Sequence, residues 1–248
     1  MNELSSRAEY LQQVFAAEGI HLSEAQTDAF LTYADLLAEK NAVMNLTAIT
    51  EFKDVVHKHF LDSCAPARLP WFPKGQGTGL IDVGSGAGFP GIPLKILYPE
   101  LEVTLLDSLR KRVNFLNEVI EALGLEGIRA VHARAEDGAR REDLRERFDV
   151  AVSRAVASLP VLSEYCLPYV KTGGSFLAYK GSGAEAEAEA AEGAARKLGA
   201  GKTELTVFTL PGTDGEVLGR SLVRIVKTAP TPKKYPRKAG TAARSPLT

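Results

Sequence analysis

Cysteine, methionine and tryptophan are scarce in this chain of 248 residues: two, two and one respectively. The cysteines, Cys64 and Cys166, stand far apart, which excludes a disulfide framework and a Cys-rich zinc pattern and fits a reducing cytosol. No apolar run is long enough to cross a bilayer, and the opening Met-Asn-Glu-Leu-Ser-Ser-Arg lacks the apolar core of a signal peptide, so a cytoplasmic protein is expected. No internal repeat is visible. Acidic residues are missing after Glu216, where eight Lys and Arg residues stand unopposed. The net charge of −1 says nothing global about polyanions, but this distribution puts positive charge at one end. With 45% hydrophobic and 25% charged residues the chain is globular and can fill a core.

Three segments and one linker are expected. Residues 1–68 read as a helical extension, in which Leu4, Leu11, Val14 and Phe15 recur at helical spacing. Ser23 to Gln26 forms a capping box that opens a helix through Lys40, with the stripe Phe30, Tyr33, Ala34 and Leu37. Asn41 to Thr47 breaks that pattern, and Thr50 is placed to cap a further helix over 51–67. Residues 69–78 are a Pro- and Gly-bearing linker. Over 79–228 strands (80–83, 102–106, 128–132, 148–152, 174–179) alternate with helices (91–97, 109–123 capped by Ser108, 158–168) and end in a hairpin of 203–209 and 221–227. This order predicts an α/β fold with a mostly parallel, doubly wound sheet and an antiparallel closing strand. The Ala/Glu run at 184–192 reads either as an acidic contact or as a solvated helix of good helix formers. Residues 229–248 form a basic tail.

Chemistry concentrates in Leu80 to Gly91. A short apolar strand runs into glycines at 84, 86, 88 and 91, a pattern that lets backbone approach a ligand closely. Asp82, before the glycines, separates the run from an ordinary dinucleotide fingerprint, and Asp-x-Gly-x-Gly-x-Gly resembles motif I of class I S-adenosylmethionine methyltransferases. A carboxylate there suits a cationic sulfonium better than a pyrophosphate. Asp107 ends the next strand 19 residues beyond Gly88, close to the spacing of an acid that takes ribose hydroxyls. Asp82, Gly84, Gly86 and Asp107 are therefore candidate cofactor residues, against the alternative of a ligand-free turn and a solvated acid.

The segment after the fourth strand faces the transferred methyl in such folds. Here it reads Ser153-Arg154-Ala155-Val156 and lacks the Pro-Pro-aromatic motif of enzymes that methylate exocyclic amines. Cys64 and Cys166 fall inside expected helices, where a lone cysteine is most often a buried apolar residue rather than a nucleophile. An acceptor that is already nucleophilic remains, and guanine N7 is one: it has a free lone pair and no proton to lose.

The wider pattern is identified as that of the small-subunit ribosomal RNA methyltransferase G family, also called glucose-inhibited division protein B. It rests on Asp82 to Leu94 with its Gly-Phe-Pro-Gly, Leu106 to Arg112, Phe148 to Ala155, Asn45-Leu46-Thr47, His59 to Ser63, and Lys234 to Gly240 with its Pro-Arg-Lys-Ala-Gly. It spans essentially the whole chain. The resemblance implies methyl transfer from S-adenosylmethionine to N7 of a guanine, position 527, in 16S rRNA, either free or in a small-subunit assembly particle. It also implies cofactor contacts at Gly84, Phe89, Asp107, Ser108, Leu109, Ala135, Glu136 and Arg154.

Arg154 reads as lying beside the methionine end or the substrate, or else as a surface ion pair. Asn45 either caps a helix or turn, or sits over the pocket. Asn45 and Arg154 are thus positioning candidates, and no catalytic residue is assigned. Lys233, Lys234, Arg237 and Lys238, with Tyr235 free to stack on a base, make an extended RNA-binding tail, against the alternative of a solvated terminus. His57, His59, Asp62 and Cys64 do not share one helical face, so no metal is expected. A monomer that touches no membrane is expected. Two rivals remain, a nicotinamide-dependent reductase and an RNA-binding protein with a relict cofactor fold.

Overall fold

The computed structural model describes residues 3–248, with side chains from Ser5 onward, so Leu4 of the first expected stripe lies outside the described side chains. The chain opens with α1 (Glu3–Ala17) and α2 (Glu24–Met44). Ser23 accepts the Gln26 N–H at 3.2 Å and the Gln26 side chain accepts the Ser23 N–H at 2.9 Å, which completes the capping box. α2 stops at Asn45, whose φ of 50° is left-handed, a conformation that asparagine tolerates. A continuous helical run follows: α3 (Phe52–Val55), a π turn (Val56–Leu61), α4 (Asp62–Cys64) and a 3-10 turn (Ala65–Arg68). It replaces the plain helix expected over 51–67. Glu51, not Thr50, holds its N-cap position, and no side chain caps it.

The remainder alternates as β1 (Gly79–Val83), α5 (Gly91–Leu97), β2 (Glu102–Asp107), α6 (Arg110–Ala122), β3 (Ile128–His132), α7 (Ala135–Gly138), β4 (Phe148–Arg154), α8 (Leu159–Cys166), β5 (Val170–Gly181), α9 (Glu185–Lys197), β6 (Ala200–Pro211), β7 (Val217–Lys227) and α10 (Thr241–Arg244). The seven strands lie in the order β3-β2-β1-β4-β5-β7-β6. Neighbours from β3 to β5 are parallel, and β7 runs antiparallel to both β5 and β6. Central strands such as β1 and β4 are apolar on both faces because helices cover both. The chain leaves β1 outward to β2 and β3, then returns to β4. That reversal opens a crevice at the C-terminal ends of β1 and β4, where ligands of doubly wound sheets bind.

The N-terminal helices are built into this body. Phe15, Phe30, Tyr33 and Phe60 are buried in one cluster with Leu80, Phe89 and Leu177 of the sheet side. On the other face the small side chains of Ala188, Ala191, Ala194 and Ala195 are buried, so the Ala/Glu run is a helix with a packed alanine stripe and a solvated glutamate edge.

Two expectations about caps and tail are corrected. Ser108 does not cap α6: Leu109 occupies the N-cap position without a side-chain bond. The tail is not an open arm. Tyr235 and Leu247 are buried, and the Arg237 guanidinium grips the fully buried Glu164 through Nε at 3.0 Å and Nη2 at 2.6 Å. A buried carboxylate is stable only with such a partner, so Arg237 is committed to the fold and withdrawn from the RNA-binding set, and Tyr235 cannot stack on a base. Lys233, Lys234 and Lys238 remain exposed.

Candidate active site

A cavity of about 570 Å³ occupies the crevice, lined by the loop Gly84 to Ala87, Phe89, Asp107, Ser108, Ala135, Glu136, Arg154, His59 of the helical run, and Leu46 and Thr47 before it. Register explains its floor. Val83 pairs with Leu106, so the next residues, Gly84 and Asp107, emerge side by side. Gly84 and Gly86 adopt φ of 78° and 61°, which L side chains rarely take. A Cβ on Gly84 would stand 2.7 Å from Val156 Cγ2. The loop is further pinned by the Gly84 N–H on the Leu106 carbonyl at 2.8 Å and by the Tyr33 hydroxyl on the Ala87 carbonyl at 2.5 Å.

Asp107 is 3% exposed and accepts the N–H groups of Gly86 at 2.9 Å and Leu109 at 2.8 Å, one on each oxygen. Each oxygen keeps lone-pair capacity, and Arg112, which also lines the cavity, stands 3.6 Å from Oδ2 through its Nη1. Leu109 does not line the cavity; its backbone N–H orients Asp107 instead. Glu136 lines the cavity, but its Oε1 takes the Gly240 N–H at 2.8 Å and so draws the C-terminal segment in as a wall.

Asp82 is a correction. It is wholly buried, its Oδ2 accepts the Gly91 N–H at 2.8 Å at the start of α5, and its Oδ1 has no partner. Burial raises its pKa to about 7, so near neutrality the group is not the fixed anion expected beneath a sulfonium. It supports the loop and does not line the cavity. Asn45 is likewise exposed at the end of α2 and does not line the cavity, which leaves the capping alternative.

The opposite end of the cavity is made of side chains. Arg154 ends β4 and lies over the Phe89 ring at 5.1 Å. Its Nη1 donates to the Lys58 carbonyl at 3.0 Å and to Asp62 Oδ2 at 2.7 Å, and its Nη2 donates to His59 Nδ1 at 3.1 Å. Asp62 also accepts Arg220 Nε at 2.6 Å, so Arg154 belongs to a part-buried network and not to a surface pair. His59 stacks on Phe89 with centroids 4.4 Å apart. Burial, and then the Arg154 charge, lower its pKa to about 3, so it is neutral at physiological pH. His57, two residues earlier, does something else: it bridges the Tyr10 hydroxyl at 2.8 Å and the Pro211 carbonyl at 2.7 Å, tying α1 to β6.

Leu46 and Thr47 were not singled out individually in the sequence, although both line this end. Their signal in the sequence is the Asn45-Leu46-Thr47 element of the family pattern, just after a helix stop. Cys64 and Cys166 are fully buried, and burial raises both thiol pKa values, which suppresses the thiolate a nucleophile needs. Among the described residues no three His, Cys, Asp or Glu side chains are grouped to hold a metal, and no helix is long and apolar enough to cross a membrane.

Comparison with known proteins agrees with this geometry. The GidB family model, described as rRNA small subunit methyltransferase G, matches residues 26–213. The chain is 52% identical over 229 residues to the ribosomal RNA small subunit methyltransferase G of Lachnoclostridium phytofermentans, covering 92% of this chain and 93% of the relative. It is 48% identical over 239 residues to that of Lactobacillus delbrueckii, covering 96% and 99%. Among solved structures, an S-adenosylmethionine-dependent O-methyltransferase of Thermotoga maritima superposes with a TM-score of 0.51 at 15% identity, covering 79% of this chain and 73% of that one. TYW2 of M. jannaschii in complex with AdoMet gives 0.50 at 16%, covering 66% and 80%; these two likenesses show the fold. The reductase reading is thereby removed, and the chain belongs to the rRNA small subunit methyltransferase G family of S-adenosylmethionine-dependent methyltransferases.

Proposed function

We propose that this chain transfers the methyl group of S-adenosylmethionine to N7 of a guanine in 16S rRNA, guanine 527 in the family's assignment, as a cytoplasmic monomer. The observation that carries the choice of acceptor is the chemistry of the side-chain end. His59 is neutral, with Nδ1 occupied by Arg154. Both cysteines are buried thiols. Such a site suits an acceptor that needs neither a base nor a covalent intermediate, and N7 has its lone pair ready.

The cradle fits the cofactor: positive-φ glycines bare the backbone, and Asp107 turns free lone pairs to the cavity. When bound, S-adenosylmethionine supplies an electrophilic methyl on sulfur. Gly84 and Gly86 admit its methionine part, Asp107 takes the ribose hydroxyls beside Ser108, and Ala135 and Glu136 wall the adenine. Arg154 keeps Nε and one Nη2 proton without a partner among the described residues, and these serve the methionine carboxylate or the target base. The gain comes from alignment, worth up to about 7–11 kcal/mol when reacting atoms are well held. The exposed Lys233, Lys234 and Lys238 hold RNA phosphates.

The test is transfer of a labelled methyl group to 16S rRNA and to small-subunit particles, followed by nucleoside analysis. Label recovered as 7-methylguanosine is expected. Label in any other nucleoside, or none in either substrate, would overturn the assignment.

A further inference from the structure

Thr47 sits where the helical extension meets the side-chain end of the cavity, with Gly84, Phe89 and Arg154 around the same space. A guanidinium only donates, so the Arg154 Nη2 contact at 3.1 Å makes His59 Nδ1 an acceptor. A neutral imidazole then carries its proton on Nε2. That Nε2–H donates to Thr47 Oγ1 at 2.8 Å. The Ile49 N–H donates to the same oxygen at 3.0 Å. Both lone pairs of Oγ1 are occupied. Its own proton has no acceptor among the described residues, and the residue lines the cavity.

Thr47 is therefore a donor that cannot act as an acceptor without breaking the relay. The two purines differ in the group beside N7: guanine presents the acceptor O6, adenine the donor N6–H2. We propose that the Thr47 hydroxyl, held as a donor by Arg154 through His59, reads O6 of the guanine whose N7 is methylated. This rests on the N7 assignment above. With adenine in the pocket two donors would face each other and one would be buried unpaired, which costs far more than a missing contact. The N7 lone pair is left open to the methyl group, as an arginine fork on N7 and O6 would not leave it.

The experiment measures kcat/KM on small-subunit RNA carrying either guanine or 2,6-diaminopurine at the target position; the analogue keeps N7 but has an amine in place of O6. The parent enzyme should prefer guanine. Thr47→Val should lose about 10-fold or more on guanine, retain its rate on the analogue and so collapse the preference, with unchanged affinity for S-adenosylmethionine. Thr47→Ser should restore the preference. Equal losses on both bases would mean a structural role and overturn the proposal. So would weakened cofactor binding with the preference intact, which would direct the hydroxyl to the cofactor. If the parent itself makes no 7-methylguanosine, the N7 assignment fails; if it does and Thr47→Val keeps the preference, only the reading of O6 fails.

Discussion

At the cofactor end of the pocket the polar groups are mostly backbone: the N–H groups of Gly86 and Leu109 hold Asp107, and those of Gly84 and Ser85 hang from the Leu106 carbonyl. At the transfer end they are side chains, with Arg154 from β4, His59 and Asp62 from the helical run and Arg220 from β7 bonded to one another. The backbone-made end draws its pieces from two consecutive βα turns, so its parts are close in sequence and hard to misplace. The side-chain end depends on a π turn, on sheet register and on the seating of the N-terminal helices. In the proposed reading the first end holds the adenosyl cofactor and the second faces the acceptor.

The difference predicts separable defects. Arg154→Ala removes the group that joins His59 to Asp62 and leaves a carboxylate with 8% side-chain exposure short of a partner. A misplacement of about 1 Å at a reacting centre can cost about 100-fold in rate, so kcat at saturating cofactor should fall by at least that order, a larger loss than any in cofactor affinity from the methionine contact. Isothermal titration beside single-turnover transfer checks this; a loss seen mainly in cofactor affinity would merge the two ends into one site. Asp107→Ala should do the reverse. Losing a hydrogen bond to a charged group costs about 1.5–3 kcal/mol, so cofactor affinity should drop about 10- to 150-fold and the transfer rate should recover at saturating cofactor. A rate that stays low at saturation would show that Asp107 also shapes the transfer geometry.

The same contrast explains what was legible in the sequence. The glycine loop, Asp107 and the alternation of strands and helices follow from local spacing, and they stand where that spacing put them. Asp82 was misassigned because a motif records which residue precedes a loop, not which way its side chain turns; in β1 it turns inward to Gly91. Arg237 was misassigned because charge along a sequence does not reveal a buried glutamate 73 residues away. Asn45 drew attention in place of Thr47 because the left-handed stop of α2 rotates the chain, and only the tertiary fold decides which of the residues after it enters the cavity.

Two titratable groups, half-buried His59 at one end and buried Asp82 beneath the other, give a smaller effect of opposite sign. His59 has its pKa lowered from 6.5 to about 3, so between these values the unfolded chain binds a proton that the folded one refuses, and stability falls as pH falls. Asp82 has its pKa raised from 3.8 to about 7, so over that interval the folded chain keeps a proton that the unfolded one has lost, and stability falls as pH rises. Between pH 3.8 and 6.5 the two slopes oppose. Asp82→Asn should expose the histidine slope, about 1.4 kcal/mol gained per pH unit up to pH 6.5, in urea unfolding measured at several pH values. A flat profile in that variant would mean that His59 protonates in the folded protein as it does in water.

The smallest expected effect lies outside both ends, on the tail. Lys233, Lys234 and Lys238 are exposed, and Lys234 Nζ sits 5.2 Å above the Tyr235 ring, which gives that cation a fixed mount. Gly240, two residues beyond Lys238, is tied to Glu136 in the cofactor wall. The lysines thus stand on a segment anchored to the pocket wall. Replacing the three lysines with alanine should leave cofactor affinity and kcat at saturating RNA unchanged. The log–log slope of RNA affinity against salt should fall in magnitude by about 0.7–0.9 for each phosphate contact removed. A slope identical to the parent's would take the tail out of RNA binding.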